Sequence, residues 1–320
     1  GGGVPDPGRP DDHLQEKPVT LKPSSLKPGD RIGVIAPAGP VAPEDLEPGL
    51  RTLARYGFRV IEGAHLYDIR GYTAGDDQAR LEDFHAMFAR PDVGAVFCAR
   101  GGYGCLRLLP RIDLSLVRAR PKAVVGFSDV TALLWGLHAA AGLVSFHGPV
   151  VKGLHGDTIQ DLELLIHWIR ETGEPPRVDL GPGTRVIRGG RATGPVFGGN
   201  LSLVSHLVGT PYMPGLEGAI LFLEDTREPL YRIDRMLTHL ALGGVFDRLS
   251  GFLLGAFDGD HSEDDVLSLL MEHLSPLGIP VVAGLPVGHG GRNLPLPIGL
   301  PAVLDTGDMC ISWLEPCFAP

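Results

Sequence analysis

Short apolar runs alternate with amphipathic stretches along most of the chain from Arg31 onward. The run RIGVIAPA at 31–38 is broken only at its end by Pro and Gly, as expected of a strand buried on both faces of a parallel sheet. The pattern predicts a helix over 43–56 and a strand over 58–62. A second helix is predicted over 75–90, with Leu81, Phe84 and Phe88 on one face. Strands follow at 93–99 and 122–126, then a helix through Leu137 and a strand at 143–147. Strand and helix patterns that alternate in this way describe a parallel α/β sheet with crossover helices.

A helix at 157–171 stands apart, followed by GEPPRVDLGPGT, a Pro/Gly stretch typical of a connection between domains. Beyond it strands are predicted at 219–223, 251–255 and 280–283, and helices at 230–242 and 264–274. Residues 294–314 carry short apolar runs broken by Pro and Gly, an irregular β layer. The organisation expected is a mobile polar leader (1–24), an N-terminal α/β domain (25–155), a linker (156–188) and a C-terminal domain (189–320). The fold class expected is α/β: a flavodoxin-like parallel sheet, then a smaller mixed β/α domain, with a site in the cleft between them.

Composition narrows the function classes. The 320 residues hold 28 Lys+Arg against 38 Asp+Glu, a net charge of −10, so neither nucleic acid nor an anionic membrane is an expected partner. The longest mostly apolar stretch, 133–151, is interrupted by His138, Ser145, His147 and three glycines, too polar for a membrane span. The opening GGGVPDPGRPDD has neither a basic start nor an apolar core, so no secretory signal is expected. Cys98, Cys105, Cys310 and Cys317 lack the spacing of a zinc site and read as reduced cysteines of a cytoplasmic protein.

The most informative segment is AVVGFSDVTALL at 123–134. An apolar strand ends at Gly126, Ser128 follows two residues later, and a helix begins at once. A serine on such a turn projects its hydroxyl above the sheet, where free N–H groups of the first helical turn face any oxyanion formed. Val130 replaces the second glycine of a GxSxG elbow, so two readings stand: Ser128 as nucleophile, or as helix N-cap. A second glycine turn, ARGGYGC at 99–105, follows an earlier strand of the same sheet. It is either a plain tight turn or a bare backbone that approaches a ligand beside Ser128.

A serine nucleophile needs a base, and the base needs an orienting carboxylate. His289, in LPVGHGGRN, sits among three glycines on a loop, whereas His138 lies within an apolar helix and His206, His239 and His273 lie on amphipathic ones. The strand AILFLEDT at 219–226 ends in two acids, and spacing does not choose between Glu224 and Asp225.

Together, GFSDVTALL, ARGGYG, GGNLSLVSHLVGTP (198–211), LFLEDTREPLYRIDRML (221–237) and GLPVGHGGRNLPLPIG (284–299) resemble the LD-carboxypeptidases. These are serine peptidases that also include the microcin C self-immunity peptidases. The resemblance runs from about Lys22 to Leu314. It implies a triad of Ser128, Glu224 and His289, and an oxyanion hole from the backbone N–H groups of Asp129 and of Gly101 or Gly102. It implies no metal or organic cofactor, a homodimer, and cell-wall recycling in the bacterial cytoplasm. The implied substrate is a murein tetrapeptide, cut between an L-centred residue (meso-diaminopimelate or lysine) and terminal D-alanine.

Two other readings compete. The microcin-immunity branch hydrolyses peptidyl or aminoacyl nucleotides and carries a longer aromatic-bearing insertion between its domains. Here about 50 residues separate His147 from Gly198, and the linker helix has one aromatic, Trp168. A non-catalytic module binding a small anion would use the glycine turns as a cradle, but has no need of an isolated histidine between glycines. A carboxypeptidase must also grip a terminal carboxylate, which a guanidinium does bidentately. Arg100, Arg227 and Arg292 stand beside the candidate segments, with Arg227 favoured because it follows the strand that delivers the carboxylate. Each could instead pair with a neighbouring acid, such as Asp225 or Glu228.

Overall fold

The computed structural model describes residues 19–26, 29–170 and 173–319. The first half runs β1 (Arg31–Ile35), α1 (Pro43–Arg55), β2 (Arg59–Glu62), α2 (Asp77–Ala89), β3 (Val93–Cys98), α3 (Cys105–Leu108), α4 (Leu114–Ala119), β4 (Ala123–Gly126), α5 (Val130–Ala141) and β5 (Ser145–His147). Strands β1 to β5 form a parallel sheet in the order β2-β1-β3-β4-β5, the flavodoxin-like arrangement expected. The apolar runs of β1, β3 and β4 are buried because helices cover both faces of the sheet. On α2, Leu81, Phe84 and Phe88 are all buried, as the periodicity predicts.

The second half runs α6 (Thr158–Arg170), β6 (Arg177–Asp179), β7 (Arg185–Arg188), β8 (Arg191–Asn200), α7 (Leu201–Leu207), β9 (Ala219–Thr226), α8 (Leu230–Leu242), β10 (Leu249–Asp258), α9 (Glu263–Leu274), β11 (Val281–Ala283), β12 (Leu296–Ile298), β13 (Pro301–Asp305) and β14 (Cys310–Trp313). Its sheet has eight strands in the order β6-β14-β13-β8-β9-β10-β11-β7, the mixed sheet of the second β/α domain. β8 to β11 are parallel, and the other strands join antiparallel. β6 and β7 sit at opposite edges although only residues 180–184 separate them. Seven strand spacings would measure about 34 Å on a flat sheet, whereas that short connection reaches only about 20 Å. The sheet must therefore be rolled.

Three sequence expectations change. Within the expected linker, α6 buries Asp161, Leu162, Leu165, Ile166, Trp168 and Ile169, and β6 and β7 complete the second sheet. Part of the Pro/Gly stretch expected to connect domains forms the short connection between β6 and β7. Of the expected leader, residues 1–18 lie outside the described residues, but its last part is fixed to the body. The Leu21 N–H donates to the Gly142 carbonyl at 2.8 Å, and Lys22 pairs with Glu315 at 2.8 Å. The first sheet is also not purely parallel: β12, from the second half, adds to β5 as an antiparallel edge. Among the described residues no helix is long and apolar enough to cross a membrane.

The two sheets are fastened at α5. Trp135 Nε1–H donates to the Gly198 carbonyl at 2.8 Å, and the Asn200 N–H donates to Thr131 Oγ1 at 3.1 Å. The carboxyl ends of β4 and β9 thus face a common cleft.

Candidate active site

Ser128 follows β4 by two residues and holds a left-handed backbone conformation, φ +65°. That conformation costs a non-glycine residue about 1–3 kcal/mol, so the surrounding structure must enforce it. The helix-cap reading does not describe it, because Asp129 occupies the cap of α5 and no side chain there bonds the helix N–H groups. The Ser128 hydroxyl instead lies 3.2 Å from His289 Nε2. The Asp129 carboxylate, buried, accepts the Cys105 N–H at 2.8 Å and so ties the glycine turn to the serine turn. Burial pushes its pKa up, against that hydrogen bond.

A side chain at Gly101 would place its Cβ 2.8 Å from Ser128 Oγ and 3.6 Å from the Asp129 nitrogen. Only glycine leaves that space open. Among the described residues, no backbone carbonyl or side chain accepts from the N–H groups of Gly101, Gly102 or Asp129. The turn itself is held by Arg100, which donates to the carbonyls of Pro40 (2.9 Å) and Gly101 (3.2 Å).

Glu224, near the end of β9, has no solvent exposure, and its Oε2 lies 2.6 Å from His289 Nδ1. Asp225 faces elsewhere. Its carboxylate accepts from Asn200 Nδ2, the Ser202 N–H and the Thr226 N–H, which orders the start of α7. The choice that spacing left open therefore falls on Glu224 as the partner of His289. Gly288, at φ +104°, makes the contact feasible, since a Cβ there would lie 2.4 Å from Glu224 Oε2. The four other histidines weighed from sequence make structural contacts: His138 packs on Phe197, His206 contacts the Ser202 carbonyl, His239 meets Ser205 and His273 stacks on Phe246.

Of the three arginines, Arg292 is engaged by buried Asp161, and Arg100 by carbonyls. Arg227 is exposed, sits at φ +61°, and has no ion pair among the described residues. Its expected partners are taken, Asp225 as above and Glu228 by Arg232 at 3.0 Å. Sequence reading missed Asp161, Asn200 and Asn293. Asn200 and Asn293 were visible inside GGN and HGGRN, but nothing marked Asp161 on its helix.

Residues 32–148 match the LD-carboxypeptidase N-terminal domain, and residues 193–304 match the LD-carboxypeptidase C-terminal domain. The chain belongs to the LD-carboxypeptidase family. It is 38% identical to the probable murein peptide carboxypeptidase of Bacillus subtilis, over 91% of this chain and 93% of that one. Among solved structures it resembles the muramoyltetrapeptide carboxypeptidase of Oxalobacter formigenes (TM-score 0.76, 31% identity, 88% of this chain and 97% of that one). It also resembles an inactive mutant of the microcin C7 self-immunity protein without ligand (TM-score 0.86, 28% identity, 93% of this chain and 100% of that one). As a member of this LD-carboxypeptidase family, the chain is a peptidase.

The electrostatics of the pair have a definite sign. Burial works against the charged form of His289 and the charge of Arg227 adds to that. The hydrogen bond and charge of Glu224, with the charge of Asp225, outweigh both, so the His289 pKa is raised. Followed by NMR, His289 is expected to protonate above the ordinary histidine range. In Glu224→Gln the attraction is gone and burial remains, so its titration should move to lower pH. An unmoved midpoint would contradict the assignment of Glu224.

Proposed function

We propose that the chain is a serine LD-carboxypeptidase that releases terminal D-alanine from peptidoglycan-derived tetrapeptides through an acyl-enzyme on Ser128. The observation that carries this reading is the hydrogen-bonded line from Glu224 through His289 to Ser128, with unengaged backbone N–H groups beside the hydroxyl. The names of the Bacillus and Oxalobacter relatives support the substrate class. That substrate implies cell-wall recycling in the cytoplasm.

In the first step His289 Nε2 takes the Ser128 proton as Oγ bonds to the scissile carbonyl carbon, and the carbonyl π pair moves to oxygen. The oxyanion rests on the N–H groups of Asp129 and of Gly101 or Gly102, while Glu224 stabilises the imidazolium and holds the ring in place. Collapse breaks the amide bond, and the departing D-alanine nitrogen takes the proton from His289. Water, deprotonated by His289, then cleaves the ester and restores the serine. None of these steps calls on a cofactor. Arg227, exposed and free of an acidic partner, is the candidate clamp for the D-alanine carboxylate.

A second reading, hydrolysis of a peptidyl or aminoacyl nucleotide, has in its favour the higher structural similarity to the microcin C7 self-immunity protein. Against it stands Trp168, which is buried 6.2 Å from the Trp313 ring and offers no face to a base in the cleft. Parallel assays on a tetrapeptide and on an aminoacyl-adenylate analogue separate the two.

Ser128→Ala should lower kcat on the tetrapeptide by about 10³-fold or more with the fold intact, and His289→Ala by a similar factor. The double variant should be no worse than either single one, because the residues act as a unit. Retention of more than about a tenth of the wild-type rate by Ser128→Ala would end the nucleophile assignment. Arg227→Met should weaken kcat/KM by about 2–4 kcal/mol and erase preference for a free over an amidated C-terminus. A variant that still rejects the amide as wild type does would move the clamp elsewhere.

A further inference from the structure

Three buried polar residues outside the catalytic line are linked by hydrogen bonds to one another and to the loop that carries His289. Asp161, on α6 and wholly buried, accepts Arg292 Nε at 3.2 Å through Oδ1 and the Asn293 N–H at 2.8 Å through Oδ2. Asn293 Oδ1 accepts the Gly288 N–H at 2.8 Å and lies 2.8 Å from His147 Nε2. A backbone N–H can only donate, so the Asn293 atom facing it is the amide oxygen, and His147 Nε2 must carry a proton. Burial holds the His147 pKa down to about 3, which keeps the ring neutral in that tautomer.

Both ends of this chain of bonds reach the site. His147 lies on β5 in register with Gly126, two residues before Ser128, and its ring packs against Phe127 and Phe222. Phe127 also lies 4.8 Å from the His289 ring. At the other end, Gly288 immediately precedes His289 and backs onto Glu224.

We infer that Asp161, Asn293 and His147 are positioning residues that set the His289 imidazole between Glu224 and Ser128 across the boundary of the two sheets. The inference rests on the serine-peptidase reading above. Gly288, Gly290 and Gly291 leave the loop's own torsions undecided, so its shape must come from anchors. Asn293 supplies them on both sides of His289: its amide oxygen holds the Gly288 N–H, and its own N–H is held by Asp161. The line to Ser128 tolerates little error, since a displacement near 1 Å costs about 10²-fold in rate. The groups acting electrostatically on His289 are Glu224, Asp225, Arg227 and, from β5, His147.

The test is the pH dependence of Ser128 labelling by a fluorophosphonate, in which the Oγ–P bond forms, fluoride leaves and His289 takes the proton. Wild type, Asn293→Ala and Asn293→Asp are compared, each checked for native fold by circular dichroism. Loss of the acceptor in Asn293→Ala should lower the plateau rate by about tenfold to hundredfold. Its acid limb should also move to lower pH, because a loosened ring loses the Glu224 contact that raises its pKa. Asn293→Asp keeps an oxygen toward Gly288 and should stay within about threefold of wild type. A wild-type plateau and limb in Asn293→Ala overturn the inference, and so does a lowered plateau with an unmoved limb. Where Asn293→Ala does not fold, a native Asn293→Asp that loses tenfold or more overturns it equally. If wild type is not labelled at all, the serine-peptidase reading fails first and takes this inference with it.

Discussion

A carboxylate with no access to water must find a proton donor, and for Glu224 that donor is His289 at 2.6 Å. Burying an unpaired carboxylate is costly, and among the described residues the second oxygen of Glu224 has no partner to share the load. The strand that carries Glu224 therefore depends on a loop about 65 residues further along. That loop can come close enough only because Gly288 has no side chain, and the same approach leaves His289 Nε2 free to face Ser128.

The demand spreads to the sheet boundary. Ser128 rises from the first sheet, whereas Glu224 lies on β9 of the second and His289 on the loop that follows β11, so a 3.2 Å contact between His289 and Ser128 bridges two separately built layers. The fold answers by interlocking them. The indole of Trp135 and the hydroxyl of Thr131 fasten α5 to β8, and β12 leaves the second half of the chain to pair with β5. β12 begins only three residues after Asn293, so the excursion that completes the first sheet also delivers the histidine loop. Helix α6, which looks like a tether in sequence, is a wall of the same arrangement through Asp161.

What could be read from sequence follows from where each signal is local. Ser128 and His289, which the fold brings within 3.2 Å, stood out as candidates because a strand–serine–helix step and a histidine among glycines are unusual over a few residues. β1, β3, β4, β9 and β10 were legible because burial on both faces leaves uninterrupted apolar runs, whereas β8, polar in its first half and glycine-rich in its second, carries no such run. Glu224 and Asp225 could not be separated, since their difference lies in what faces the end of β9: His289 on one side, Asn200 and the start of α7 on the other. β6 and β7 escaped notice because each is three or four residues long and most of those side chains are not buried, so no hydrophobic period exists to read. The role of Asp161 was invisible for a different reason. A lone acid on an amphipathic helix looks solvated until tertiary structure puts an arginine and a backbone N–H against it.

One hydrogen-bonded line, from Glu224 through His289 to Ser128, is stretched between the two sheets. In the proposed mechanism this line activates Ser128 alone. Intact protein treated with a fluorophosphonate, then digested and mapped by mass spectrometry, reads this directly. The account predicts one adduct per chain, on the peptide containing Ser128, and none after His289→Ala over the same exposure. An adduct on another serine, or undiminished labelling without His289, would contradict it.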